Sequence, residues 1–305
     1  MSTTTTTPVT ITFPDDHGST PDVGAELWWV ASRLRTADDR VFWFHHCVVN
    51  ATEPEPGVVG WTSIREDATQ RHWHETFQEA PGATTFAADH LDIRGPRVTI
   101  TGDLDELTVA TGVPDATSAL TLRPTAPVLY SCGVGSFPLF GTTTFQYSVP
   151  AVPTAGTLAL GDETLEVTGE SWFDRQWFMS ALPVDEPLIW FGICLDNGEN
   201  LSLFDTTPNG KAWVTAGHPD GSHTVSAIAP LRESQEGELV NAETGTASPE
   251  RWTVRIPVLD AELHLTQRVM HENSILYTGS LEVAGTWGGR PVSGYGFIDL
   301  PGPGA

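Results

Sequence analysis

The stretch that decides the fold is Gly169-Glu170-Ser171-Trp172-Phe173-Asp174-Arg175-Gln176-Trp177. It places two indoles around an acid and a base, and no glycine or proline follows its first residue. The residues before it alternate between apolar and polar, so the segment is predicted to be a β-strand. In a strand Trp172, Asp174 and Gln176 share one face, which puts the acid beside an indole.

This placement has a consequence for the chemistry of Asp174. A carboxyl group against aromatic surface loses hydration, so its pKa rises unless Arg175 or another cation turns toward it. A carboxyl group with a raised pKa can donate a proton at neutral pH. The alternative interpretation is an Asp174–Arg175 ion pair that holds the end of a barrel, since structural ion pairs also shift pKa values.

The rest of the chain carries a strong negative charge. Its 305 residues include 15 basic and 39 acidic side chains, a formal net charge of −24. Such a surface repels phosphate backbones and anionic headgroups, so nucleic acid and acidic membranes are not expected as partners. The 11 Trp and 13 Phe residues supply enough apolar surface for a folded core.

Cysteine use and the N-terminus favour a cytoplasmic protein. Cys47, Cys132 and Cys194 are odd in number and form no CxxC pair, so neither a disulfide framework nor a zinc cluster is predicted. The threonine-rich N-terminus has no basic region and no apolar segment of a secretory signal, and no run is long enough to insert into a membrane.

Short β-prone runs between turn residues recur along the whole chain. Ala25 to Leu34 and Val41 to Asn50 are predicted to form a hairpin in the first half. About eight further runs follow Trp177, enough to close a barrel that holds side chains or one small ligand. We therefore predict an all-β protein with two antiparallel barrels packed together, in domains of residues 8–160 and 161–305.

The histidine pairs do not indicate a metal centre. His45 and His46 are adjacent in a strand, so they point to opposite faces and cannot share one ion. For such residues a hydrogen-bonded place in the core is favoured over a catalytic role. His72 and His74 do share a face, but a catalytic zinc normally needs three protein ligands and no third one is evident. No metal is predicted.

Several local patterns together resemble one family, the AttH-like proteins that include carotenoid 1,2-hydratases. They are the Phe13 to Gly18 opening, the Glu26 to Val30 strand, Tyr147-Ser148 with Pro150, the Gly169 to Trp177 stretch, and the Gly294 to Leu300 ending. This resemblance implies two tandem lipocalin-like β-barrels. It also implies relatedness to lipocalin-like cyclases that promote [4+2] cycloadditions of polyenes without a cofactor. Arg175 departs from the family pattern, which usually has histidine there.

Three functions follow from the same residues. A cyclase would hold a polyketide or terpenoid polyene folded while Asp174, Arg175 or Tyr147 hydrogen-bonds a carbonyl. A hydratase would instead protonate an isolated alkene through Asp174. We favour the cyclase, because a neighbouring Arg175 would activate a carbonyl but would keep Asp174 ionised. The third candidate is a lipocalin-like carrier without chemistry.

All three candidates need a hydrophobic small molecule and no cofactor. Monomer and homodimer stay open. The residues predicted to contact the substrate are Trp172, Trp177, Trp28, Trp29, Glu26, His45 and Trp190.

Overall fold

The structure is a computed structural model that describes residues 11–53, 55–181, 187–272 and 276–301. The predicted N-terminal lead falls outside these ranges. Apart from four 3-10 turns, the regular elements are strands. They are β1 (Ala25–Arg35), β2 (Val41–Ala51), β3 (Gly57–Glu66), β4 (His72–Glu79), β5 (Thr85–Phe86), β6 (Leu91–Arg94), β7 (Val98–Gly102), β8 (Leu107–Val113), β9 (Ala116–Leu122), β10 (Leu129–Tyr130), β11 (Ser136–Leu139), β12 (Thr142–Leu160), β13 (Glu163–Phe178), β14 (Ile189–Leu195), β15 (Asn200–Asp205), β16 (Ala212–Gly217), β17 (His223–Ala227), β18 (Leu239–Val240), β19 (Ala247–Ser248), β20 (Arg251–Ile256), β21 (Ala261–Glu272), β22 (Leu276–Trp287) and β23 (Arg290–Pro301).

The first sheet has 13 strands and is built on the two longest ones. Its order is β4-β3-β2-β1-β13-β12-β9-β8-β7-β6-β5, and β10 and β11 also pair with β12. The predicted hairpin is confirmed as β1 and β2, with Trp29 opposite Cys47. On its other edge β1 pairs with β13, where Trp29 lies opposite Asp174.

A bulge shapes the partner of β13. Strand β12 runs without interruption over 19 residues, although it contains two prolines. Its register to β13 shifts between Val149 and Val152, and Ala151 has a positive φ of 49°. A bulge adds a residue to one strand and bends it, so Pro150 is accommodated at an irregularity of the ladder, whereas Pro153 lies beyond it, opposite Glu170.

The second sheet contains the eight strands expected after Trp177. Its order is β17-β16-β15-β14-β23-β22-β21-β20, all antiparallel. The short pair β18–β19 forms a separate two-stranded sheet in the polar segment before β20. The architecture confirms the predicted fold class, an all-β chain of two curled antiparallel sheets.

Each sheet encloses its own apolar core, and a third cluster lies between them. The first core includes Trp28, Phe173 and Trp177, and the second includes Phe191 and Trp252. We call the third cluster the interlayer. It joins residues of both sheets, and its large aromatic members are Trp29, Trp43, Trp61, Phe137, Trp172, Phe178, Trp190, Phe204, Tyr295 and Phe297.

The division into domains at residue 160 stays a prediction. In the pairing of strands, β13 belongs with the first sheet, so the chain passes from one sheet to the other between Phe178 and Ile189. Among the residues that the structure describes, no helix is long and apolar enough to cross a membrane.

Candidate active site in the interlayer

Strand β13 contributes side chains to two separate interiors. Trp172 belongs to the interlayer, whereas Phe173 and Trp177 belong to the core of the first sheet. Since side chains alternate along a strand, Asp174 faces the interlayer and Arg175 faces the core of the first sheet. The predicted shared face of Trp172 and Asp174 is therefore present, and the neighbouring arginine lies on the other side.

Asp174 is enclosed and hydrogen-bonded, with 5% of its surface exposed. The indole Nε1 of Trp172 donates a hydrogen bond to its Oδ1 at 2.7 Å. Burial raises the pKa of Asp174 to about 7, although hydrogen bonds from Ser148, Trp172 and Gln146 act in the opposite direction. The carboxyl group can thus be protonated or ionised close to neutral pH, which is the property required of an acid–base catalyst.

A second indole from the other sheet completes the wall beside Asp174. Trp190 of β14 meets Trp172 edge to face, with ring centroids 5.8 Å apart. Gly192 makes this contact possible, because a Cβ at that position would lie 2.7 Å from the Trp190 ring and 3.1 Å from that of Trp172. The aromatic faces present here can stabilise positive charge that develops on a substrate carbon.

A second buried carboxyl group, Asp299 of β23, lies across the interlayer. It pairs in register with Trp190 and accepts a hydrogen bond from the Thr278 hydroxyl at 2.7 Å. Burial, with a smaller contribution from the negative charge of Asp174, raises the pKa of Asp299 to about 7, although the hydrogen bond from Thr278 acts in the opposite direction. The charge of Asp174 thus influences the titration of Asp299, and each group can gain or lose a proton near neutral pH.

Two polar side chains in the same layer have unused hydrogen-bonding atoms. Trp29 Nε1 and His45 Nε2 are buried and have no partner within the described parts of the chain. Burial lowers the pKa of His45 to about 3, so its ring is neutral, and it hydrogen-bonds to the backbone of Gly279 in the other sheet. Buried polar atoms without partners are uncommon, and here they can bind an oxygen of a substrate or a water molecule.

Arg175 lies on the opposite face of β13, where it forms a fully buried ion pair. Its Nη2 is 2.6 Å from Glu26 Oε2, and both side chains have no exposed surface. The guanidinium also donates to the carbonyl of Gly18 and stacks on Trp28 and Trp177, at 4.1 and 4.9 Å. These contacts tie the N-terminal segment to the first core, so the interpretation as a structural ion pair holds for Arg175 and Glu26 rather than for Asp174.

Tyr147 is on that face as well. Its hydroxyl is hydrogen-bonded to Nδ1 of His17, and its ring packs in the core of the first sheet. The sequence hypothesis named Asp174, Arg175 or Tyr147 as the group that hydrogen-bonds a substrate carbonyl in one pocket. The structure separates them, because neighbouring positions of a strand project to opposite faces. Of the predicted substrate contacts, the interlayer holds Trp172, Trp29, His45 and Trp190, and the first core holds Trp177, Trp28 and Glu26.

A cavity of about 560 Å³ opens at one side of the interlayer. It is lined by Phe137 of β11 and by Trp213 of β16, which pack against Phe204 with centroids 5.2 and 5.0 Å away. Asp299, Trp190, Phe204 and Trp213 form one row across four neighbouring strands. With about 4.8 Å between strands, the cavity wall at Trp213 lies about 14 Å from Asp299 along this row.

The pair His72 and His74 acquires a third group that sequence analysis did not find. Glu243, from the polar segment before β20, brings the three potential ligand atoms within 4.8 Å of one another. Arg65 lies among them, with Nη2 at 2.8 Å from His72 Nδ1 and 3.4 Å from Glu243. A metal ion would have to displace this guanidinium, which already supplies the positive charge.

Asp299 is the main residue of this site that was not predicted. The signal was nevertheless in the sequence, since Phe297-Ile298-Asp299 repeats the aromatic-x-Asp pattern of Trp172-Phe173-Asp174. What the sequence could not supply is the packing of β23 against the first sheet, which brings both acids to one layer.

Comparison with known proteins agrees with this architecture. The dehydratase asqC of Emericella nidulans is 27% identical over 207 residues, which are 61% of this chain and 58% of that protein. The structure of kievitone hydratase from Nectria haematococca has a TM-score of 0.78, with 16% identity, and the match covers 97% of this chain and 94% of that one.

A crystal structure described as an AttH protein of Nitrosomonas europaea has a TM-score of 0.82 and 18% identity, covering 96% of this chain and 97% of that one. At these identities the two structures show a shared fold. The family is shown by sequence, because the family model for AttH-like proteins matches residues 4–303. With nearly its whole length matched, the chain belongs to the AttH-like family.

Proposed function

We propose that the protein is a hydro-lyase, which adds water to a carbon–carbon double bond of a hydrophobic small molecule or removes it in the reverse direction. The observation that carries the proposal is Asp174, a buried carboxyl group whose pKa is raised to about 7 inside an aromatic layer. Such a group can give a proton to an alkene carbon, which a carboxyl group with an ordinary pKa does poorly at neutral pH.

The pair of carboxyl groups supplies both proton transfers. In hydration, protonated Asp174 gives its proton to one alkene carbon, and the indole faces of Trp172 and Trp190 stabilise the positive charge on the other carbon. Water adds to that carbon, and its surplus proton passes to ionised Asp299. The product is an alcohol, and a proton returning from Asp299 to Asp174 restores the starting state.

The unpartnered atoms of the interlayer fit this scheme. The attacking water needs two to four hydrogen-bond partners to be held in place. Trp29 Nε1 can donate a hydrogen bond to this water, and the unpartnered Nε2 of neutral His45 can form a second one. They lie on the same face of the first sheet as Asp174, since Trp29 is directly opposite it in β1.

Two observations favour water chemistry over the predicted cyclisation. The argument for a cyclase required Arg175 near Asp174 as an activator of a carbonyl, and the guanidinium is instead engaged with Glu26 in the first core. Away from that cation, buried Asp174 has a pKa of about 7, so it is partly protonated at neutral pH. The names of two relatives, a dehydratase and a hydratase, also indicate reactions that remove or add water.

The test is an incubation with apolar polyenes that carry an isolated terminal alkene, together with the matching tertiary alcohols, followed by mass spectrometry. We expect gain or loss of one water. An isomer of unchanged mass would support a cyclase instead, and recovery of tightly bound, unchanged ligand would support a carrier.

Asp174→Asn should lower turnover by about a hundredfold or more, as general acids typically contribute 10²–10⁴. The matched control is Asp162→Asn, which removes the same charge from the exposed turn between β12 and β13 and should leave turnover unchanged. A loss below tenfold in the Asp174 variant would exclude this residue as the proton donor.

A further inference from the structure

The cavity beside the interlayer has apolar walls that come from both sheets. They include Phe137 and Leu139 of β11 and Trp213 and Val225 of β16 and β17, and the rings of Phe137 and Trp213 meet edge to face with centroids 5.8 Å apart. Its volume of about 560 Å³ lies within the range of about 300–1,000 Å³ that is typical of small-molecule sites. Aromatic and aliphatic walls of this size suit the apolar body of an elongated ligand rather than a polar metabolite.

The charge at this cavity is opposite to that of the protein as a whole. Lys211, which lines it, is the single lysine in the 305-residue sequence. The chain has 39 acidic residues, yet none is among the fifteen residues that line the cavity. In a protein with a net charge of −24, this is a local positive site next to an apolar surface.

A lysine at the edge of an apolar cavity selects for a particular kind of molecule. Its ammonium group is exposed, so it can meet an anionic group while the rest of the ligand lies against Phe137 and Trp213. Thr206 and Asn209, also at the lining, are neutral, so they add no negative charge that would repel a carboxylate.

We propose that this cavity binds an elongated apolar carboxylic acid, with its hydrocarbon part against Phe137 and Trp213 and its carboxylate at Lys211. The inference rests on the proposed function, since it names the class of substrate that the interlayer would receive. Trp213 and Asp299 are about 14 Å apart along their row, so the reacting double bond of the ligand would have to lie about 14 Å from the cavity wall at Trp213.

The experiment measures binding directly and needs no turnover. The probe is cis-parinaric acid, a conjugated fatty acid that becomes fluorescent in apolar surroundings, and its methyl ester is the uncharged counterpart. Both are titrated into the full-length protein at pH 7.5. We expect the acid to bind about fivefold more tightly than the ester, the size of effect that an exposed ion pair can contribute.

Three variants locate the site. Lys211→Gln should abolish the preference for the acid and leave ester binding within twofold. Arg123→Gln, which removes an exposed positive charge in the first sheet far along the chain, should keep the preference. Ala227→Trp places an indole in the cavity from an exposed position opposite Trp213 and should weaken both ligands at least tenfold.

Equal affinity of the wild type for acid and ester would overturn the inference, as would a preference that survives in Lys211→Gln or unchanged binding to Ala227→Trp. Failure here can be told apart from failure of the hydro-lyase proposal. Conversion of uncharged alkenes that depends on Asp174 would keep the reaction while rejecting the carboxylate site.

Discussion

Replacing Asp174 by asparagine should make the folded protein more stable at neutral and alkaline pH. Asparagine matches the protonated carboxyl group in shape and can still accept the hydrogen bond from Trp172. In the wild type, burial raises the pKa of Asp174 from 3.8 to about 7. A carboxyl group with a raised pKa destabilises the folded state whenever it must be ionised inside the protein.

The sign and size of the effect follow from linkage. Below about pH 4 the group is protonated in both states and carries no penalty. Between about pH 4 and 7 the unfolded chain loses the proton while the folded protein keeps it, so stability falls as pH rises, and above pH 7 the loss is constant. The rise in the pKa of Asp174 from 3.8 to about 7 corresponds to a loss of about 4 kcal/mol in the free energy of unfolding. Because Asp174 also interacts with Asp299, we expect a loss of about 2–4 kcal/mol.

The assay is urea unfolding of both proteins from pH 4 to 8. The difference in free energy of unfolding, variant minus wild type, should rise by about 2–4 kcal/mol between pH 4 and 7 and then level off. Titration of carboxyl groups that do not interact with Asp174 is common to both proteins and cancels in this difference, whereas Asp299 contributes to it. Asp162→Asn, in an exposed turn, should give a flat difference. A flat line for Asp174→Asn as well would refute the raised pKa.

Two further substitutions examine the two faces of β13. Trp172→Phe removes the N–H that favours the ionised form of Asp174, so the pKa of that carboxyl group should rise by about one unit. The measurement is the midpoint of the pH–rate profile, which should move upward. An unchanged midpoint would contradict the role of the indole. Arg175→Gln leaves Glu26 buried without its cation and should cost about 3 kcal/mol in urea unfolding. The double variant with Glu26→Gln should recover part of the loss, and no recovery would mean that Arg175 acts through packing alone.

Local sequence pattern was sufficient for the strands and for the faces on which single residues lie. Alternation around Trp172 and Asp174 correctly placed both on one side of β13, because strand geometry leaves only two directions for a side chain. The same rule puts Asp174 and Arg175 on opposite faces of β13, so the neighbouring cation on which the preference for a cyclase depended is absent from the side of Asp174.

Partners that are distant in sequence could not be predicted from pattern. Glu26 is 149 residues from Arg175, and their contact exists because β1 pairs with β13. Asp299 reaches the interlayer only through the packing of one sheet on the other. The bulge in β12 is the opposite case. Proline is expected to interrupt a strand, yet it is tolerated within this one long strand because the ladder is irregular there.

The shared wall formed by β13 has a consequence for engineering the protein. Its even-numbered side chains, such as Trp172 and Asp174, lie on the side of the proposed site, while Phe173, Arg175 and Trp177 face the core of the first sheet. A mutagenesis library can therefore randomise alternate codons of a single strand to alter selectivity, with the intervening codons held fixed so that the scaffold survives.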